Sequence, residues 1–482
     1  MKKTYVLLSS LFFLALSQIQ AQDVWSLEKC ILHSQKASIA VNQANIGIDQ
    51  AEITLSQAQQ SRLPTLNGST NVGWNFGRTV DPTTNEFITE TFFSNGYSLG
   101  TGVSIFNGMQ INNSIKQSKL DLEATKNETE QTRRDVALQV ASNYLNVLFA
   151  KENIEVSERQ LLLNRQQLDR TNREIQAGRL AESERLNLEA QVAQSEQVLI
   201  ETRNSYDIAM LQLKQVLRLD PSFPIDVVAP EGVPVSTDPD MVDFEEAFAE
   251  AQKNRPDLIG QELRVQSAGV GVDIAKGALY PSIGAFANLS SAYSNQARQI
   301  IGSEEITVNT PVIVNSLDPS VPFNNVPVDI ITTTDVPQIA KPSYSTQLDN
   351  NLSYGFGASI SIPIYNRGAT RASIQRAKLN AINSQLQYDQ LMENLKILVQ
   401  QSLADARAAK KKLEASEKSL NAQKLAFENT DTRLEIGAAN TFEWESQKTQ
   451  MENAEIQLLI DKYDYLFKIK ILEFYLGKPL KL

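Results

Sequence analysis

The chain has 482 residues, with 45 Lys and Arg against 56 Asp and Glu, so its formal net charge is −11. This acidic balance makes nucleic acid an unfavourable partner. Cys30 is the only cysteine, which excludes disulfides within the chain, and we expect it to be buried in a helix. Because one core rarely grows beyond about 250–300 residues, a chain of this length is expected to be elongated.

The first residues have the pattern of a signal peptide. Lys2 and Lys3 precede an apolar run from Val6 to Leu16, and Ile19-Gln20-Ala21 follows it. The apolar run is shorter than the roughly 18 residues that a membrane-spanning helix needs, and no later segment reaches that length. The pattern therefore predicts a signal peptide over residues 1–21 and an exported mature chain.

The mature chain is an internal duplication. Residues 105–219 return 259 positions later, so that Ile105-Phe106-Asn107 recurs as Ile364-Tyr365-Asn366 and the segment around Gly178 recurs around Gly437. The duplication predicts a first repeat over 22–220, a linker over 221–242 and a second repeat over 243–482.

Each repeat contains a long stretch with the periodicity of a coiled coil. In the first repeat the apolar residues of one stripe stand seven apart: Val140, Val147, Ile154, Leu161, Leu168 and Ile175. A seven-residue apolar period is typical of supercoiled helices. In the first repeat we therefore expect a long helix over about 107–176 and a return helix over 181–217. The second repeat is expected to contain the same pair of helices, with its return helix over 441–476. Shorter helices over 24–62 and 243–278 are expected to stack on the ends of the two return helices.

Between these helices the apolar period changes to two, which is the period of a strand. The alternating runs lie at about 66–76, 97–105, 283–289 and 354–364, separated within each repeat by loops at 77–96 and 294–351. Strands of about ten residues with one apolar face are typical of outer-membrane barrels. Four strands cannot close such a barrel, so the pattern predicts a barrel shared between chains.

The order of these elements resembles one known family. The duplicated order of helix, strand, strand, long helix, glycine turn and helix, together with Asn254-Arg255-Pro256-Asp257-Leu258 and Tyr280-Pro281-Ser282, resembles the TolC-type outer-membrane efflux ducts. The resemblance covers essentially the whole mature chain. It implies a mostly α-helical fold with a membrane β-barrel part. Three chains would together form a twelve-stranded barrel in outer-membrane lipid and a helical tunnel through the periplasm.

The same resemblance implies a passive exit channel that works with a periplasmic adaptor protein and an inner-membrane pump. It assigns adaptor binding to the two turns at the periplasmic tip: Gly178, Arg179, Leu180, Gly437, Ala438 and Ala439. It places a pore constriction at Glu443, Ser446 and Glu184. The arginine and tyrosine that lock the family prototype fall on Ala439 and Leu434, so the familiar latch is missing.

The sequence offers little support for catalysis or a cofactor. His33 is the only histidine, and a lone histidine supports neither a metal site nor a triad. Gly269-Val270-Gly271 lies within a predicted helix and follows no strand, unlike a dinucleotide-binding loop. We expect no enzyme and no cofactor. The alternative function is a secreted coiled-coil scaffold or surface filament, which extraction without detergent would distinguish from a membrane channel.

Overall fold

The computed structural model of the chain describes residues 23–80, 85–89, 91–228, 238–314, 320 and 326–477. The signal peptide expected over 1–21 lies outside these residues. The chain divides into two compact units, and each takes segments from both sequence repeats. The helical unit comprises the chain up to Ser56, Lys116–Val272 and everything from Gln375; the strand unit comprises Gln57–Ile115 and Asp273–Ile374.

The order of secondary structure follows the predicted duplication. The first half contains β1 (Asp23–Trp25), α1 (Leu27–Ala37), α2 (Ile39–Gln60), β2 (Thr65–Asn75), β3 (Thr79–Val80), β4 (Phe87–Ile88), β5 (Phe92–Asn107), α3 (Gln110–Gln176), α4 (Glu182–Leu217) and β6 (Ile225–Val227). The second half contains α5 (Phe244–Asn254), α6 (Pro256–Gly277), β7 (Ser282–Ser294), β8 (Gln299–Val314), β9 (Val326–Ala340), α7 (Tyr344–Asn350), β10 (Ser353–Ser361), α8 (Ala369–Glu435) and α9 (Thr441–Tyr475).

The two shorter helical segments are each broken, so the expectation of single helices over 24–62 and 243–278 is wrong. The first segment starts as β1 and breaks at Ser38, whose backbone is extended at φ −62° and ψ 129°. The second breaks at Arg255, at φ −89° and ψ 113°. Pro256 explains the second break, because proline disfavours the helical conformation in the residue before it.

The two long helices have equal lengths, as the duplication predicts. Both α3 and α8 contain 67 residues, which corresponds to a helix of about 100 Å at 1.5 Å per residue. The first begins at Gln110 rather than at the expected Asn107, because Gly108 and Met109 have positive φ values of 65° and 64°. Within the described ranges no helix is both long enough and apolar enough to cross a bilayer.

The core of the helical unit consists of two apolar clusters that the duplication relates to each other. The equivalent residues that are 0% exposed in both clusters are Val140 and Val399, Val147 and Ala406, and Leu213 and Leu472. Each pair stands 259 positions apart. The seven-residue stripe is therefore a buried helix–helix contact in both repeats. Cys30 lies in the first cluster, as expected, and burial raises the pKa of its thiol to about 12.

The strand unit contains the four predicted strands in one antiparallel sheet, in the order β10-β7-β5-β2. Asn107 of β5 and Ser361 of β10 both pair with Ser282 of β7, and Thr65 of β2 pairs with Gly102. The strand ends that join the helices therefore lie together at the same end of the sheet. Among the described residues, β2 and β10 each have one hydrogen-bonded neighbour strand, so the sheet has two open edges.

The connection over 294–351 is more ordered than the loop expected from its prolines. It contains the antiparallel hairpin of β8 and β9, followed by α7. The smaller connection over 77–96 contains the short pair β3 and β4. In β8 and β9, Pro311, Pro327 and Pro337 are compatible with pairing because both strands are edge strands, whose outward N–H groups are not needed by the ladder. Prolines on edges also hinder pairing with other chains.

Candidate functional site

The first candidate site is the turn between α3 and α4. Gly178 has a φ of +72°, and its N–H donates to the Ile175 carbonyl at 2.8 Å. The Arg179 N–H donates to the Glu174 carbonyl at 2.9 Å. This pattern closes the end of a helix with a residue in the left-handed conformation, a role that glycine fills without strain.

The second turn repeats this geometry. Gly437 has a φ of +73°, and the Ala438 N–H donates to the Arg433 carbonyl at 2.8 Å. The side chain of Asn440 then caps α9 by accepting the Glu443 N–H at 2.8 Å. A Cβ added at either turn glycine would meet no atom within 4 Å, so the backbone conformation alone demands glycine there.

Apolar side chains beside these turns are exposed, which the sequence analysis missed except for Leu180. The exposed fractions are 37% for Leu180, 75% for Ile436 and 77% for Phe442. In the sequence, each of these side chains could have been recognised as a large apolar residue within five positions of a turn glycine. Arg179 is directed back to Glu174 at 3.2 Å, so its charge is partly neutralised within the turn.

Glu443 lies in the first turn of α9 and is paired with an arginine that the sequence analysis did not identify. The Arg433 guanidinium lies 3.4 Å from the Glu443 carboxylate and also donates to the Ala438 carbonyl at 3.1 Å. Both side chains are about half exposed, at 49% and 47%. A cation therefore stands next to Glu443 although the latch arginine expected at Ala439 is absent.

The other two predicted constriction residues differ in environment. Ser446 is exposed, whereas Glu184 is half-buried. Burial, and then the charge of the nearby Glu184, raises the pKa of the Glu445 carboxyl. The Lys448 ammonium opposes this shift. Among the described residues, the buried Oε1 of Glu445 has no hydrogen-bond partner.

Lys448 is the centre of a buried polar network. It is 2% exposed, and its ammonium lies 2.7 Å from Glu452 and donates to the Asn164 side chain. Asn164 is 1% exposed and donates in turn to the Ser195 hydroxyl at 2.6 Å. The network thus joins α9 of the second hairpin to α3 and α4 of the first.

Further polar contacts join α3 to the second hairpin, and we call the whole set the polar seam. Besides Asn164 with Lys448, it comprises Glu152 with Lys462 at 3.2 Å, Arg159 with Glu455 at 2.8 Å, and Arg170 with Glu435 at 3.7 Å. Beyond Leu161 towards the turn, the most buried residues of α3 are also polar: Asn164, Gln167 and Thr171. The seven-residue apolar stripe is less buried in this part of α3, since Leu168 and Ile175 are only half-buried.

Trp444 packs within the second hairpin. It is 4% exposed, its indole N–H donates to Asp431 at 2.8 Å, and its ring centroid lies 5.6 Å from that of Phe427.

His33 contacts the ring of Trp25 edge-on at 5.1 Å. In the part of the chain that the structure describes, no group of three or more His, Cys, Asp or Glu could hold a metal ion.

Comparison with known proteins identifies the family. Residues 34–217 and 247–478 match the sequence model of the outer membrane efflux proteins, and these ranges cover most of both repeats. The chain belongs to the outer membrane efflux protein family. A curated relative, outer membrane efflux protein BepC of Brucella suis biovar 1 (strain 1330), is 20% identical over 407 residues, which are 84% of this chain and 75% of BepC.

Solved structures show that this efflux protein has the fold of outer-membrane channels. The CusC channel superposes with a TM-score of 0.73 at 16% identity, covering 94% of this chain and 92% of CusC. The outer membrane protein VceC of Vibrio cholerae gives 0.72 at 13% identity, covering 94% and 96%. The predicted fold class and the location in the outer membrane are confirmed. Family and fold are those of channel proteins, which favours efflux over the scaffold or filament alternative.

Proposed function

We propose that three copies of this chain form an export duct that receives substrates from an inner-membrane pump, through a periplasmic adaptor, and releases them outside the cell. The duct is a passive exit channel. Its strands line the passage through the outer membrane, and its long helices carry the passage across the periplasm.

The open sheet carries the proposal that the barrel is shared between copies of the chain. Residues in β2, β5, β7 and β10 include no Asp, Glu, Lys or Arg, which suits strands that cross a bilayer. In lipid, the unpaired N–H and C=O groups of the two edge strands need partners. Neighbouring copies supply them when β10 of one copy pairs with β2 of the next. Two copies would already give the minimum of about eight strands for a closed membrane barrel, so the choice of three copies and twelve strands rests on the resemblance to the TolC-type ducts.

Symmetry in detergent tests this proposal directly. The purified full-length protein should require detergent for extraction, have the mass of three chains, and show threefold symmetry by electron microscopy. A detergent-free soluble monomer would contradict both the shared barrel and the duct.

We assign adaptor binding to the two turns at Gly178 and Gly437. Both turns present a closed helix end with open space around the glycine, and exposed Leu180, Ile436 and Phe442 lie beside them. Exposed aromatic and aliphatic side chains at a rigid turn are suitable anchors for a protein partner. The adaptor would therefore contact apolar side chains as well as the turn backbone.

Glu443 is proposed to face the passage near the tips, with Ser446 on the same helix and Glu184 in the equivalent position of the first repeat. Copies of one carboxylate around a threefold axis would form a negative ring, which attracts cations and repels anions. Arg433 would moderate this ring because it neutralises part of the charge of Glu443.

The polar seam is proposed to replace the missing latch. Separating two hairpins that meet through apolar side chains would expose apolar area to water, at about 25 cal/mol per Å². Polar side chains can instead exchange their mutual hydrogen bonds for hydrogen bonds to water at a small net cost. A polar contact near the tips therefore holds the second hairpin in place while leaving it able to move.

A further inference from the structure

The strand unit is strongly asymmetric in charge. The strands of its sheet are uncharged, while basic residues collect at the end where the strands join the helices. These residues are all exposed: Arg62, Lys276, Arg367 and Arg371. Among the residues of this unit that the structure describes, the only carboxylate at that end is Asp273, and it is paired with Lys276 at 3.0 Å.

The opposite end of the sheet is acidic. Among the described residues, the carboxylates there are Glu86, Glu304, Glu305, Asp329, Asp335 and Asp349, against the basic residues Arg78, Arg298 and Lys341. In a chain of net charge −11, the basic end is therefore a local feature rather than a consequence of composition. An anionic ligand would be attracted to the basic end and repelled from the other.

A cleft of about 190 Å³ opens at the basic end, next to the end of β10. Its apolar wall includes Leu279, Ile364 and Tyr365, and its polar wall includes Thr370 and Arg371. Ile364 is 94% exposed and Tyr365 is 85% exposed. The cleft thus combines an aliphatic surface, an aromatic ring and a guanidinium at the boundary of an uncharged sheet.

The two arginines nearest the cleft have no carboxylate to neutralise them. Within the described ranges, no Asp or Glu lies within ion-pair distance of Arg367 or Arg371. A guanidinium presents a planar set of donors that matches a phosphate group. Tyrosine is enriched where a membrane meets water, because its ring is apolar and its hydroxyl is polar.

We propose that this cleft binds the headgroup of an anionic phospholipid in the membrane leaflet on the helix side of the sheet. Arg371 contacts the phosphate, Arg367 adds to the positive field, and Ile364 and Tyr365 contact the first carbons of the acyl chains. The proposal rests on the strands crossing the membrane, as in the proposed function. It adds a specific lipid site that fixes the depth of the sheet in the bilayer.

The test measures lipid retention by the intact oligomer. Full-length protein in detergent is mixed with phosphatidylglycerol or with phosphatidylcholine of the same acyl chains, and native mass spectrometry counts the bound lipids. The parent should retain phosphatidylglycerol preferentially. The double variant Arg367→Gln/Arg371→Gln should lose affinity roughly 20- to 30-fold, as expected for two basic residues near an anionic group.

The matched control is Arg78→Gln/Arg298→Gln, which removes the same charge at the acidic end and should bind phosphatidylglycerol as the parent does. Equal binding of the two lipids by the parent, or unchanged binding by the cleft variant, would overturn the site. Displacement of the lipid by an equal concentration of inorganic phosphate would show a phosphate site rather than a lipid site.

A neighbouring copy of the chain is the main rival occupant, since the cleft adjoins the edge strand β10. In that case the parent would retain no phosphatidylglycerol at the cleft and the variant would dissociate into single chains, which overturns the lipid site but not the trimer. The oligomer mass in the same spectra tests the proposed function separately. A parent protein of single-chain mass that still selects phosphatidylglycerol would contradict the trimer and leave the lipid site standing.

Discussion

Lys448 of α9 donates a hydrogen bond to Asn164 of α3, and the two side chains are only 2% and 1% exposed. A fully buried ammonium is costly unless it is paired and hydrogen-bonded. Here Glu452 supplies the charge at 2.7 Å and Asn164 supplies the neutral acceptor. The second hairpin is thus tied to the first by a contact that would be lost as soon as they separate.

Replacing Lys448 with Met should loosen this tie. The substitution leaves the Glu452 carboxylate without its cation, and breaking a buried pair in this way costs about 3–5 kcal/mol. We expect a lower melting temperature and a higher conductance in planar bilayers, because the second hairpin is released. Lys424→Met, on the exposed surface of α8, is the matched control and should change neither. Unchanged conductance in Lys448→Met would exclude the polar seam as the latch.

Arg433 and Glu443 give opposite expectations for ion selectivity. Glu443→Gln should lower the preference for cations, because it removes one carboxylate per chain from the proposed ring. Arg433→Gln should raise that preference, because it frees the same carboxylate. Reversal potentials in a salt gradient measure both effects. Stability should hardly change, since exposed pairs contribute about 0.2–1 kcal/mol.

The control for this pair is Arg173→Gln, which breaks an exposed pair with Asp169 at 2.9 Å near the first turn. Its selectivity should equal that of the parent. If Glu443→Gln and Arg433→Gln also behave like the parent, Glu443 faces solvent away from the passage.

The repetitive parts of the fold could be predicted from the sequence because their signal is periodic. Val140 and Val399 are buried by the same seven-residue pattern, and Gly178 and Gly437 end long helices in the same conformation. The break at Ser38 was missed because it depends on backbone angles inside an otherwise helical pattern, whereas the break at Arg255 could have been predicted from Pro256.

The candidate site was only partly predictable for a different reason. Its main contacts join residues far apart in sequence, such as Asn164 with Lys448, and no local pattern marks them. Arg433 could have been found, since it lies in the last turn of α8, near the Glu443 that opens the next helix. The effect of Glu184 on Glu445 depends on the packing of two hairpins, which periodicity does not specify.

The turn glycines should tolerate substitution poorly for purely conformational reasons. Gly437→Val places a β-branched residue at a φ of +73°, at a cost of about 1–2 kcal/mol, although the added Cβ would lie more than 4 Å from other parts of the chain. Efflux by cells should fall while the yield of oligomer stays normal. Gly269→Val adds the same side chain into open space in α6, where φ is not positive, and should leave efflux intact. Full efflux with valine at both 178 and 437 would contradict the assignment of the tips.

Glu445 should make the contact between the hairpins sensitive to acid. Burial and the charge of Glu184 raise the pKa of its carboxyl above the ordinary 4.5. The folded protein therefore binds this proton more tightly than the unfolded protein does, and stability falls as pH rises from 4.5 through the folded-state pKa. Above the folded-state pKa the carboxylate is ionised, and its burial then destabilises the hairpin contact.

Glu445→Gln removes this ionisation while keeping the size of the side chain. We expect the variant to melt at a higher temperature than the parent at pH 7.5, and the difference to shrink at pH 4.5, where the parent also carries the proton. Glu443→Gln is the control, because that side chain is exposed and already paired with Arg433. A melting difference that stays constant between the two pH values would mean that the substitution acts through packing alone. A lower melting temperature at pH 7.5 would mean that the charge of Glu445 stabilises the contact, most directly through the nearby Lys448 ammonium.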